Sequence, residues 1–307
     1  LEPVLSPAAG AAVMVFSILL TLAGGFRPAR QAGATPPIVA LRSPETARSG
    51  MGILRWFWCA LLLAAGVGLS AGLQSVPLAG IGANGFVVAF VFGCAAGAAG
   101  PLRCPLVLKA LTACFPASLS PEWFLARNAA RHRVGQSAGA VIPLALGLIL
   151  VGSFSTVLAL FQRALALSSD TPGQPSDTAA NLVIYGAPLL LATAAAAVTV
   201  FMTGRARERE NALVTAAGAT HSTIVRTAVL EAVVYTVTAA LLSVLVLVPS
   251  LAVVTTAINR AVPGTGFVLG WLPWAGLAGV GLIALLISTV IPTLYANRTS
   301  IRAALAD

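Results

Sequence analysis

The chain has 307 residues, of which 58% are hydrophobic and 9% charged, and its mean hydropathy is +0.94. About a quarter of a soluble domain's residues are charged, so this composition excludes a water-covered globule and requires lipid over much of the surface. The net charge of +9 is spread over several loops, which suits a membrane surface and gives no reason to invoke nucleic acid.

Apolar runs of roughly 20 residues are long enough to cross a bilayer as helices. Such runs fall at about 9–26, 53–73, 81–101, 138–164, 181–203, 225–249 and 267–291. They are too long for barrel strands and do not alternate. The expected fold is all-α, a polytopic membrane protein with about seven transmembrane helices. Placing the C-terminus in the cytoplasm puts every Lys and Arg inside except Arg163 and Arg260, in keeping with the positive-inside rule.

The first run follows "LEPVLSP". Leu1 is not a start methionine and no signal-peptide pattern precedes the run, so further spans are expected upstream. Residues 27–51 are punctuated by Pro and Gly and read as a cytoplasmic linker with one short helix. The second run carries "GLSAG", Gly68 to Gly72, which fits the G-x-S-x-G pattern of serine hydrolases. That chemistry needs a strand-turn-helix and a nearby base. The only histidines, His132 and His221, are expected on the cytoplasmic side, a membrane thickness of about 30 Å away. The small residues are expected to let helices pack closely, as are Gly93 and Gly97 in the third run.

Residues 103–137 contain two helical pieces split around "PASLSP". The later piece sets Trp123, Phe124 and Ala130 against Arg127, Arg131 and His132, a mixture that suits a helix in the membrane interface. The external loops at 72–80, 165–181 and 250–267 are all too short for a folded domain of about 50 residues. Pro143, Pro188 and Pro273 fall within or near spans, where proline is tolerated.

Between the fifth and sixth runs lies "RARERENALVTAAGAT", Arg205 to Thr220. Its residues are good helix formers apart from Asn211, and Gly218 can end the helix. The charges gather at its start and the apolar Leu213 and Val214 follow. It reads either as an exposed juxtamembrane helix or as a docking helix for a cytoplasmic protein. Glu231 lies about two turns into the sixth run. It is either a proton or substrate site or an interfacial carboxylate paired with Arg226 or a neighbouring helix. An ion-coupled secondary transporter is disfavoured, because such proteins place more charge near the membrane midplane.

The sole lysine, Lys109 in "LVLKALT", has no glycine loop, so no P-loop for ATP is present. The four cysteines form no CxxC pair or Cys/His cluster, and neither a metal site nor a disulfide framework is expected. One internal echo is present. Aligning Pro28 of "PARQAGATPPIVALR" with Pro292 of "PTLYANRTSIRAALA" places Ala32 on Ala296 and Ala40-Leu41 on Ala304-Leu305. Both segments follow spans expected to end inside, which points to a duplicated unit.

The stretch "RARERENALVTAAGATHSTIVRTAVLEAVVYTVTAALL" resembles the signature region of FtsX-like (MacB-type) ABC transporter permeases. Glu210, Leu213, Ala216, Gly218, Ala219, Thr220, Arg226, Glu231 and Ala232 match the pattern E-x-x-L-x-x-A-x-G-A-T, a basic position and E-A. "LARNAARHRVGQSAGAVIPLALGLILV" resembles the amphipathic entry to such a domain, and "PTLYANRTSIRAAL" its terminal tail.

The resemblance implies the C-terminal part of a ten-helix duplicated permease. Residues 1–42 would be the last helix and tail of a first domain, 43–119 a two-helix insert with cytoplasmic linkers, and 120–307 a second domain of four helices. The resemblance also implies a bacterial plasma-membrane permease subunit with no catalytic residues. ATP and Mg would be bound by a separate cytoplasmic ABC ATPase, in two copies. Docking would fall on Arg207, Glu208, Glu210, Leu213, Val214, Ala217, Gly218, Ala219 and Thr220, with Arg127, Arg131 and Glu231 in interfacial or structural roles. The implied function is export or extraction of a lipid, lipoprotein or antimicrobial. The alternative is mechanotransmission to a cell-envelope enzyme through an extracytoplasmic protein partner. His221-Ser222-Thr223 stands where the family is more basic, and the 165–181 loop lacks the large external domain of bacitracin-resistance relatives.

Overall fold

The computed structural model describes residues 52–76, 78–116, 120–132, 134–168 and 218–296, together with isolated positions between 11 and 30. The chain divides into two compact units, Leu1–Arg48 and Ser49–Asp307. The second contains α1 (Ile53–Leu73), α2 (Leu78–Ala98), α3 (Gly100–Ala113), α4 (Pro121–His132), α5 (Val134–Ser168), α6 (His221–Ala261) and α7 (Trp271–Ala296). Every regular element among the described residues is an α-helix, as expected for a chain that must satisfy its backbone inside lipid.

Four of these helices have span-like segments: Ile53–Leu73, Ala138–Ser168, Ser222–Ala261 and Trp271–Val290. Asn84–Ala98 and Gly100–Ala113, with 80° between them, make a fifth when counted as one bent span. Five of the expected runs therefore fall on described helices. The run at 181–203 lies outside the described residues, and that at 9–26 is described only at isolated helical positions.

α6 is the central element and packs on α2, α4, α5 and α7. Burial grades outward from the centre: 61% of the α5 span window is buried but only 17% of the α1 window. Trp56, Phe57 and Trp58 of α1 are accordingly at least half exposed, the arrangement of a lipid-facing helix. The interior forms two layers. One holds Leu108, Ala130, Leu144, Leu148, Tyr235 and Leu285. The other holds Val88, Val157, Leu160, Leu251 and Ile258. In lipid the association of such helices rests on close van der Waals packing rather than on escape from water.

Small residues set that closeness. Ideal Cβ atoms on Gly93 and Gly97 would come within 2.8 Å of Ile149 and 3.1 Å of Leu146, so α2 and α5 approach through these glycines as expected. The expectation for "GLSAG" is corrected. Among the described residues Gly68 and Gly72 meet no neighbour, and the glycine that seats α1 on α2 is Gly66, where a Cβ would stand 2.9 Å from Phe92. Position around the helix decides this: Gly66 and Gly68 are two residues apart and point some 200° apart at 3.6 residues per turn.

Two boundaries also differ from the reading of the runs. α2 stops at Ala98, and the chain turns through Ala99 into α3, which has a proline, Pro101, in its first turn. Proline there lacks the N–H that a continuous helix needs, and it disfavours helical geometry in the residue before it. α6, by contrast, runs on through Pro249 to Ala261, so most of the expected 250–267 loop is helix. The true connection is 262–270. It turns on Gly264 and Gly266, both at positive φ (+93° and +66°). Asn259 Oδ1 accepts the Gly266 N–H at 3.1 Å.

Candidate functional site

Of the docking residues expected from the sequence, the described ones, Gly218, Ala219 and Thr220, lead into the start of α6. Gly218 has φ +97°, the left-handed geometry a helix-ending glycine adopts. Two residues later Thr220 is the N-cap of α6. Its Oγ1 accepts the Thr223 N–H at 3.4 Å, and it also shares hydroxyl contacts with Ser222 and Thr223 at 2.9 and 3.0 Å. A side-chain oxygen here satisfies one of the donors that the first helical turn leaves open. Gly218 and Thr220 are exposed and Ala219 half-buried. Arg207, Glu208, Glu210, Leu213, Val214 and Ala217 lie outside the described residues.

α4 is joined to this helix start. Ser120 Oγ accepts the Trp123 N–H at 3.1 Å and caps α4. Glu122, in the first turn, lies 3.6 Å from Arg226 one turn into α6. The backbone N–H of Glu122 itself holds its carboxyl below the usual carboxylate range, and Ser120 and Arg226 add to this. The arrangement corrects one expectation: among the described residues the partner of Arg226 is Glu122. Residues five apart on a helix point about 140° away from each other, so Arg226 and Glu231 cannot share a face.

Glu231 is buried among the core residues of the α4-side layer. Tyr235, four residues on, donates its hydroxyl to Glu231 Oε1 at 2.5 Å. Burial of a carboxylate needs such hydrogen bonding.

Arg127 and Arg131 lie one turn apart on α4 and do not form the solvated stripe expected of a free interfacial helix. Arg131 Nε donates to Thr112 Oγ1 at 2.8 Å and its Nη2 to the Lys109 carbonyl at 3.3 Å, which ties α4 to the end of α3. Arg127 Nε is buried without a hydrogen-bond partner among the described residues. Trp123 turns inward, edge-on to Phe115 with ring centroids 5.6 Å apart, whereas Phe124 remains 48% exposed. The structure thus brings Gly218, Ala219, Thr220, Arg226 and Glu231 onto one helix and its entry, with Glu122 and Arg131 bridging α6, α4 and α3. Glu122 and Thr112 escaped the sequence reading. The one available signal was the Ser-Pro-Glu start of a helix.

Residues 181–301 match the FtsX-like permease C-terminal family. This stretch is similar to the C-terminal domain of FtsX-like permeases. Its match contains Arg205–Thr220, α6 and α7, so the capped entry to α6 sits inside the FtsX-like region. The match supports a membrane permease subunit of an ABC-type system, and FtsX-like permeases work with a separate ATPase subunit. Neither the curated proteins nor the solved structures compared with the chain gave a match. Among the described residues no group of His, Cys, Asp and Glu could hold a metal ion.

Proposed function

We propose that the chain is the permease subunit of an ATP-driven system that exports or extracts an amphiphilic substrate. A separate cytoplasmic ATPase docks on residues 205–220. The observation that supports this reading is the FtsX-like match over 181–301, a range that includes the charged stretch 205–220 and α6. We further assign residues 120–307 to one four-helix permease domain, 43–119 to a two-helix insert and 1–42 to the end of a preceding domain.

The local geometry supplies a means of transmission. α6 has 41 residues and, at 1.5 Å per residue, is about 60 Å long, twice the hydrocarbon thickness of about 30 Å. A displacement at its capped start reaches α4 through Glu122–Arg226 and α3 through Arg131–Thr112. Its far end moves the 262–270 connection, which α5 holds through Ser155 and Thr156. ATP and Mg belong to the ATPase in this scheme.

The test is co-purification from native membranes followed by an ATPase assay. Leu213→Asp combined with Val214→Asp is expected to abolish stimulation of the co-purified ATPase while membrane insertion persists. Absence of any P-loop subunit in the purified complex, or full stimulation in the double variant, would sink the proposal.

A further inference from the structure

The inner side of the elbow between α2 and α3 is open. α2 and α3 diverge by 80°, and α5 and α6 close the space behind them to leave a groove of about 330 Å³. That is within the range of small-molecule sites, roughly 300–1,000 Å³. Its floor is apolar, formed by Gly97, Ile142, Leu146, Leu242 and Val246, and among the described residues the only charged one lining it is Arg103.

Two features identify what would fit. Two of the walls, Leu106 and Leu245, are 60% and 63% exposed. The groove therefore opens sideways, toward the lipid that surrounds a bundle of this composition. An acyl chain enters such an opening without leaving an apolar medium. Arg103 lies four residues beyond Ala99 and is exposed. Among the described residues no carboxylate pairs with it; the ion pair there is Arg226–Glu122. A guanidinium beside a lipid-facing groove favours an anionic headgroup, since phosphate accepts its forked donors, and basic pockets between membrane helices bind anionic lipid headgroups.

We propose that the elbow groove binds one anionic phospholipid from the bilayer, with an acyl chain along α5 and α6 and the headgroup phosphate on Arg103. Glycines keep the elbow tight against α5. A Cβ on Gly97 would meet Leu146 at 3.1 Å, and one on Gly100 would collide with Ile142. The groove is thus held between rigidly apposed helices. The site does not depend on which substrate the permease moves or on ATPase docking.

The purified full chain is delipidated in mild detergent and titrated separately with phosphatidylglycerol and phosphatidylcholine, and native mass spectrometry reads the retained lipid. One phosphatidylglycerol per chain is expected, preferred by about fivefold, the effect of one basic side chain near an anionic lipid. Arg103→Gln should remove the preference and Arg103→Lys should keep most of it. Ala145→Phe, which fills the groove, should reduce retention of both lipids. Size-exclusion elution and tryptophan fluorescence matching those of the unmodified chain establish that each variant is folded. If Arg103→Gln keeps the preference, or Ala145→Phe keeps the lipid, the proposal is overturned. Displacement of the lipid by glycerol phosphate alone would also overturn it, because that would mark a headgroup-only anion site. No ATPase is needed for any of these readouts, so their failure is distinct from failure of the docking proposal.

Discussion

Arg226 on α6 reaches Glu122 at the first turn of α4, with 3.6 Å between guanidinium and carboxylate. The pair joins two helices that the sequence separates by about a hundred residues, at the end of the bundle where α6 begins. Glu122 titrates below the ordinary carboxylate range, chiefly because of its own backbone N–H. A lowered folded pKa means that its stabilisation is present above the unfolded value, about 4.3, and is lost as pH falls through the lowered value. Glu122→Gln should therefore melt below the unmodified protein at pH 7. The difference should narrow as the pH falls past the unfolded value and vanish only once it lies below the lowered folded value. A difference that persists unchanged in acid would show that the charge of Glu122 contributes nothing.

The connection between α6 and α7 is fixed to α5 at one glycine. Ser155 Oγ donates to the Gly270 carbonyl at 3.0 Å, and Thr156 Oγ1 accepts the Gly270 N–H at 3.0 Å. A Cβ on Gly270 would come within 2.8 Å of the Ser155 backbone carbon, which cannot rotate away as a side chain can. Gly270→Ala is expected to cost about 1–3 kcal/mol, in the range of overpacked interiors. Reversible unfolding in mixed micelles measures this, and a neutral result would mean that the loop relaxes freely.

Trp274 Nε1 donates to Ser243 Oγ at 3.0 Å across the α6–α7 contact. The indole also lies against Gly152 of α5, where a Cβ would meet Trp274 Cδ1 at 3.0 Å. Ser243→Ala leaves that packing intact and removes the acceptor. The expected loss is about 1 kcal/mol, with a shift in the tryptophan emission. An unchanged spectrum and stability would place the indole donor elsewhere in solution.

Gly218 is exposed at φ +97°, so its role is conformational. Gly218→Ala should cost about 1–2 kcal/mol for left-handed geometry. Gly218→Asn should cost less, because asparagine tolerates that region. If residues 205–220 couple to an ATPase, stimulation should fall in the same order, alanine more than asparagine. Equal stimulation in both variants would detach the turn from coupling.

Five of the expected runs were legible as described helices, because lipid imposes a long apolar run on a crossing and that requirement is written locally. The two helical pieces around "PASLSP" were legible for a similar reason: Pro121 opens α4, and Ser120 offers its capping oxygen next to it. The persistence of α6 through Pro249 was not. Local rules stop a helix near proline, yet Ser250 Oγ donates to the Val246 and Leu247 carbonyls, and the buried Leu251 and Val254 keep the following turns packed. The glycine that matters on α1 was also missed, since composition shows that small residues are present and only the neighbouring helix shows which one is met.

The sequence by itself determined an all-helical chain, the five apolar runs that fall on described helices and the FtsX-like stretch before α6. Each follows from short-range patterns of hydropathy, charge and helix propensity. Tertiary structure alone decided that α2 and α3 meet at 80°, that Arg226 answers Glu122 while Glu231 holds Tyr235, and that Arg131 of α4 bonds to the end of α3. The physical reason is the azimuth of each side chain around its helix. Linear spacing sets where residues lie relative to one another on their own helix. Which neighbour they meet depends on how the other helices cross it, and that is settled by packing the whole bundle.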